Sequence, residues 1–191
     1  MQATRGTSLS SEASADDAHD AVVAGATSTT NARRLFVVVA LAAYALDLVT
    51  KVLAVAHLTP GDPVSVVGSL LRLDLVRNPG AAFSTGTSYT ALLSLIALVA
   101  AGVVLRFGRR LGDPVWAVAL GLLLAGVLGN LTDRVFRSPG VLRGHVVDFL
   151  ELPHWPVFNV ADMLIDVAVV LIIVQTWRGI GLSGRRPDAA S

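Results

Sequence analysis

Four long apolar runs, separated by polar segments, organise this chain. They occupy residues 35–56, 89–107, 114–135 and 158–177. Between Thr90 and Leu105 there is no charged residue. A bilayer core of about 30 Å takes about 20 helical residues to cross. In lipid a single segment satisfies its own backbone only as a helix, so each run predicts a transmembrane helix. The segment 57–88 has a different pattern. Leu71-Arg72-Leu73-Asp74-Leu75 alternates at period two and predicts a half-buried strand. A turn at Asn78-Pro79-Gly80 and the residues Ala81-Ala82-Phe83-Ser84 follow, so a strand pair lying on the membrane surface is expected. Residues 1–34 are rich in Ser, Thr, Ala and Asp, with no apolar block, and read as a disordered cytoplasmic tail. They are not read as a signal peptide: Arg33-Arg34 comes late and the apolar run after it is too long, and although Ala54-Val55-Ala56 resembles a small-residue cleavage site, Asp47 and Lys51 interrupt the apolar stretch before it. The domain expected is therefore residues 35–178, with a cytoplasmic tail at 179–191.

Composition agrees with a membrane protein. The chain is 53% hydrophobic and 15% charged, with mean hydropathy +0.66, whereas soluble domains carry about 25% charged residues. The net charge of +1 and the lack of a basic stripe give no sign of a nucleic-acid partner. With no cysteine, disulfides and thiol catalysis are excluded. Lys and Arg set the expected orientation. Arg5, Arg33 and Arg34 precede the first run, Arg106, Arg109 and Arg110 lie between the second and third, and Arg178, Arg185 and Arg186 follow the fourth. Both termini are thus expected in the cytoplasm, with residues 57–88 and 136–157 outside.

That topology places the polar residues of the apolar runs at one depth, the outer leaflet boundary. They are Asp47 and Lys51 on the first helix, Asn130, Asp133 and Arg134 on the third, and Asn159 and Asp162 on the fourth, with Asp148 in the loop before it. A carboxylate near hydrocarbon is costly without a partner and marks a functional site by default. Asp148 and Asp162, joined by a short loop, are able to meet, and a carboxylate pair sharing one proton is the machinery of an aspartic protease. Each residue also has a plain structural reading. Asp47 and Lys51, four apart, make a helix-end ion pair. Asn159 is a preferred N-cap, and Asp162 a first-turn carboxylate favoured by the helix dipole. Asp133 reads as a local partner of Arg134. Asp166, one turn deeper than Asp162, has no assigned role.

Other chemistries fit less well. His145, Asp148 and His154 are a weak zinc set. Gly181-Leu182-Ser183-Gly184 matches the short motif of rhomboid proteases by letters, but lies in a polar tail with no histidine in any span. A small ion- or proton-coupled transporter would also hold buried Asp and Lys, but would spread charge along the whole depth. Here the inner halves of the first three runs are bare.

Five blocks occur in one order: Asp47-x-x-x-Lys51, Asn78-x-Gly80-Ala81-Ala82-Phe83-Ser84, Gly129-Asn130-x-x-Asp133-Arg134, Val146-Val147-Asp148-Phe149 and Phe158-Asn159-Val160-Ala161-Asp162. Over residues 35–178 the chain resembles the lipoprotein signal peptidases (signal peptidase II). The resemblance implies an all-α polytopic protein of four transmembrane helices with a small extracytoplasmic β-sheet, in the bacterial inner membrane. It implies an aspartic endopeptidase that needs no cofactor or metal, with Asp148 and Asp162 as the catalytic pair. Asp47, Lys51, Asn78, Gly80, Asn130, Arg134 and Asn159 fall on its supporting positions. The implied substrate is a prolipoprotein carrying a diacylglyceryl cysteine, cut just before that cysteine, and the implied enzyme is a monomer among membrane phospholipid. The departures from the family pattern are residues 1–34 and Asp166.

Overall fold

The computed structural model describes residues 8–80 and 88–184, with side chains at 29–80 and 90–184. Arg5, the Ala81-to-Ser84 part of the second block and the pair Arg185-Arg186 lie outside the described residues. Helix α1 (Ser8–His57) is followed by strands β1 (Val64–Val67) and β2 (Leu71–Asn78), helices α2 (Ser88–Gly108) and α3 (Pro114–Phe136), strand β3 (Val146–Glu151) and helix α4 (Val160–Trp177). Four helical segments are long and apolar enough to cross a membrane: Thr29–His57, Thr90–Gly108, Pro114–Phe136 and Val160–Trp177. They coincide with the four apolar runs to within a few residues, except at the start of the first.

There the helix begins at Ser8, so the polar segment read as disordered continues the first span as helix. Between Ser8 and His57 stand one glycine, Gly25, and no proline. Nothing in the backbone therefore stops the helix from extending out of the span that nucleates it.

Helix α3 is the central element. More than half of its span is buried (56%), against 22%, 22% and 17% for the first, second and fourth spans. It meets α1 and α4 closely because two glycines leave room. A Cβ at Gly126 would come within 2.5 Å of the Ala161 carbonyl oxygen, and one at Gly129 within 2.3 Å of Asp47 Oδ2. Small residues at such seams let helices pack where lipid supplies no hydrophobic drive between them. The outer faces stay apolar and exposed, as at Val38, Leu41, Val99 and Val170, which suits contact with acyl chains. An apolar groove of about 480 Å³ along α1 and α3, lined by residues such as Phe36, Ala40, Leu124 and Leu128, holds none of the carboxylates.

One end of the bundle carries a three-stranded antiparallel sheet in the order β1-β2-β3. The alternating segment at Leu71 forms β2 as expected, and Val64–Val67 supplies its hairpin partner. Strand β3 stands where the sequence predicts a loop. Its residues Val146, Val147, Asp148 and Phe149 are all buried, so it lacks the alternation that betrays a half-exposed strand. Val147 and Phe149 pack with Leu75 and with Ala54 of α1, seating the sheet on the helices. Register pairs Val76 with Asp148 and Asn78 with Val146.

Candidate active site

The junction between sheet and helices is built from the chain outward. After β3 the chain turns back, and Phe158 pairs with Leu150 through Phe158 N to Leu150 O (3.0 Å) and Leu150 N to Phe158 O (2.8 Å). This fold-back brings the start of α4 beside Asp148. Asn159 is the N-cap of α4, with a capping box: its side-chain oxygen accepts from Asp162 N at 3.1 Å, and its own N–H donates to Asp162 Oδ2 at 3.1 Å. The cap satisfies orphan helix donors and also locks the Asp162 carboxylate.

The Asn159 side chain reaches the other carboxylate. Its Nδ2 donates to Asp148 Oδ1 at 2.6 Å and to Asn130 Oδ1 at 3.1 Å. Asn159 therefore holds Asp162 with its backbone and Asp148 with its amide. On the far side, Asn78 Nδ2 from β2 donates to Asp148 Oδ2 at 2.8 Å, while Asn78 Oδ1 accepts from Gly80 N at 2.8 Å. Asn130 Nδ2 donates to Asp162 Oδ1 at 2.9 Å. Each carboxylate oxygen of the pair thus has one amide donor. Asp148 is 2% exposed; Asp162 is half-buried. Burial, the largest influence, pushes Asp148 up to about 6, aided by the negative charge of Asp162 and opposed by the Asn78 and Asn159 hydrogen bonds and by Lys51.

Beneath the pair lies a buried ionic cluster. Lys51, fully buried, contacts Asp47 Oδ2 and Asp133 Oδ2, each at 3.0 Å, and donates to Asn130 Oδ1 at 2.9 Å. Its ammonium thus has two carboxylates for ion pairing and one amide oxygen for a hydrogen bond. Asp47 Oδ1 accepts from Ala161 N at 2.9 Å, fixing the first turn of α4 against α1. Asp133 also pairs with the Arg137 Nε and accepts from Val147 N at 3.2 Å, tying β3 to α3. Asp133 is therefore not the partner of Arg134. Neighbours on a helix do not face one another, whereas Arg137, four residues on, does. That i,i+4 spacing was legible in the sequence, and the link to Lys51 across two helices was not.

Arg134 lies beside Gly80: a Cβ there would be 3.8 Å from its Nη1. Gly80 has φ +95°, a conformation that favours glycine. Arg134 Nη1 is buried with no hydrogen-bond partner among the described residues, so the expected pairing with a carboxylate is not made. All nine sequence-predicted residues stand at this one end of the bundle. Among the described residues no three His, Asp or Glu side chains converge as metal ligands, and His145, Asp148 and His154 do not.

Four membrane-length helices, a small sheet at one end and a polar site between them define a multi-pass membrane protein. Comparison with known proteins narrows that class. The sequence pattern described as Signal peptidase (SPase) II matches residues 39–178. A lipoprotein signal peptidase of Rhodococcus jostii (strain RHA1) is 52% identical over 82% of this chain and 80% of its own length. One from Mycobacterium avium (strain 104) is 51% identical over 82% of this chain and 87% of its length. Two solved structures of bacterial membrane enzymes superpose with TM-score 0.67 at 28% and 29% identity. They cover 75% and 74% of this chain and 88% and 91% of theirs. The chain belongs to the signal peptidase II family and is a membrane-spanning peptidase that removes signal peptides.

Proposed function

We propose that the chain is an aspartic endopeptidase that removes the signal peptide from diacylglyceryl-modified prolipoproteins, cutting on the N-terminal side of the lipidated cysteine. The observation that carries this reading is the double grip of Asn159 on Asp148 and Asp162, which holds two carboxylates in one electrostatically coupled unit. The names of the similar proteins support the substrate class. Both termini lie in the cytoplasm and the site at the outer leaflet, as the distribution of Lys and Arg supports. A lipid-anchored cysteine would hold the scissile bond at that depth.

The shared proton resides chiefly on Asp148, the more buried of the two. Asp162, ionised, takes a proton from water as the water oxygen attacks the scissile carbonyl carbon. Asp148 gives its proton to the carbonyl oxygen, forming a neutral tetrahedral diol. The carbon–nitrogen bond then breaks. Asp162 passes its proton to the leaving amine, and Asp148 recovers its own from the diol. Asn159, Asn130 and Asn78 orient the pair. Arg134, with its unpartnered Nη1, holds a substrate carbonyl or a lipid phosphate.

The first test is lipid dependence. Purified protein given lipidated and unlipidated forms of one prolipoprotein is expected to cut the lipidated form at least a hundredfold faster, a preference worth about 2.7 kcal/mol. Equal rates on both would sink the substrate assignment. A second test reads the proton. In this reading kcat/KM falls as pH rises through about 6, where free Asp148 loses its proton. The Asn78 amide favours the ionised form, so Asn78→Ala is expected to move that limb to higher pH. A net hydrogen bond of about 0.5–1.5 kcal/mol corresponds to a shift of roughly half to one unit. A limb that moves to lower pH would contradict the assignment.

A further inference from the structure

Asp166 is the charge on α4 that the site does not use. It is exposed on the helix face shared by exposed Met163, Val167 and Val170, and it makes no hydrogen bond or ion pair with another described residue. A lipid-facing carboxylate inside a span is costly, so packing gives no reason for it. Its position relative to the site does. Helix α4 meets α3 along Ala161, Ile165 and Ala168. At about 100° per residue Asp162 stands beside this seam, and Asp166 lies roughly 40° further round, toward the membrane. Four residues along a helix rise about 6 Å, so Asp166 sits one turn deeper than Asp162 on the approach to it.

A signal peptide entering from the bilayer runs up this approach, with its scissile bond at the carboxylate pair and the residues before the bond below it. An extended chain rises about 3.3 Å per residue, so a descent of about 6 Å spans about two residues. We infer that Asp166 is a specificity residue on the exposed face of α4, one turn below the carboxylate pair: it accepts a hydrogen bond from a hydroxyl side chain, Ser or Thr, on the second residue before the cut. The inference rests on the proposed prolipoprotein reading.

The test uses the full-length enzyme and two lipidated substrates that differ only in Thr or Val at that second residue, a pair matched in shape. Wild type is expected to favour Thr by about tenfold in kcat/KM, the low end for a hydrogen bond to a charged acceptor. Asp166→Val removes the preference by slowing the Thr substrate about tenfold, while the Val substrate stays within about twofold. Asp166→Asn, which keeps an acceptor oxygen, retains part of the preference. No Thr preference in wild type, an unchanged ratio in Asp166→Val, or an equal fall on both substrates would each overturn the inference. If wild type cuts neither lipidated substrate, the prolipoprotein reading itself fails, and this inference with it.

Discussion

Asp148→Asn and Asp162→Asn are each expected to lower cleavage of a lipidated prolipoprotein by about a thousandfold or more, while the helices still assemble. The size follows from the division of labour. One carboxylate has to accept a proton and the other has to give one in the same step, and each such transfer contributes roughly a hundred- to ten-thousandfold. An asparagine does neither. Because the two act as a unit, the double variant is expected to be hardly slower than either single one. Structure is spared because the seams that hold the bundle, around Gly126, Gly129 and Ala161, do not include either carboxylate. A thermal unfolding curve for each purified variant separates a dead site from a lost fold.

Lys51→Met is expected to be the most destabilising substitution in the polar cluster, costing about 3–5 kcal/mol. Methionine keeps much of the length and apolar stem but removes a fully buried ammonium that contacts Asp47, Asp133 and Asn130. Asp133 retains Arg137 and the Val147 amide. Asp47 retains the Ala161 amide alone, and its charge becomes uncompensated. Asp47→Asn added to Lys51→Met should therefore restore part of the loss, a coupling of about 1 kcal/mol or more. Unfolding midpoints of the two single variants and the double in one detergent measure this. Strict additivity would show that the buried pair does not act as described. Lys51 also supports Asn130, which holds Asp162, so the single variant is expected to lose activity along with stability.

Much of this was legible in the sequence because membranes impose simple rules. An uncharged run such as 90–105 has one stable conformation in lipid, and it reappears within the second span, Thr90–Gly108. The cap at Asn159 was readable from residue type and the spacing to Asp162, and both its capping and its carboxylate-holding contacts are present. Strand β3 escaped because a strand buried on both faces has no period-two signal. The link from Asp133 to Lys51 escaped because it depends on how closely α1 and α3 approach, which Gly129 sets across two distant segments. The helical start of α1 escaped because polar composition argues for disorder while the absence of proline permits helix. Local spacing thus gave the elements and the residues, and packing between elements decided which side chains met.

In this mechanism Asp148 and Asp162 together carry the hydrolysis. The most direct measurement is a single-turnover assay read by intact mass. Wild type, Asp148→Asn and Asp162→Asn, each shown to be folded, are incubated with one lipidated prolipoprotein. Wild type is expected to release a signal peptide ending at the residue before the lipidated cysteine, and each variant to release it about a thousandfold more slowly or not at all. Cleavage by either variant within about tenfold of the wild-type rate would contradict the account.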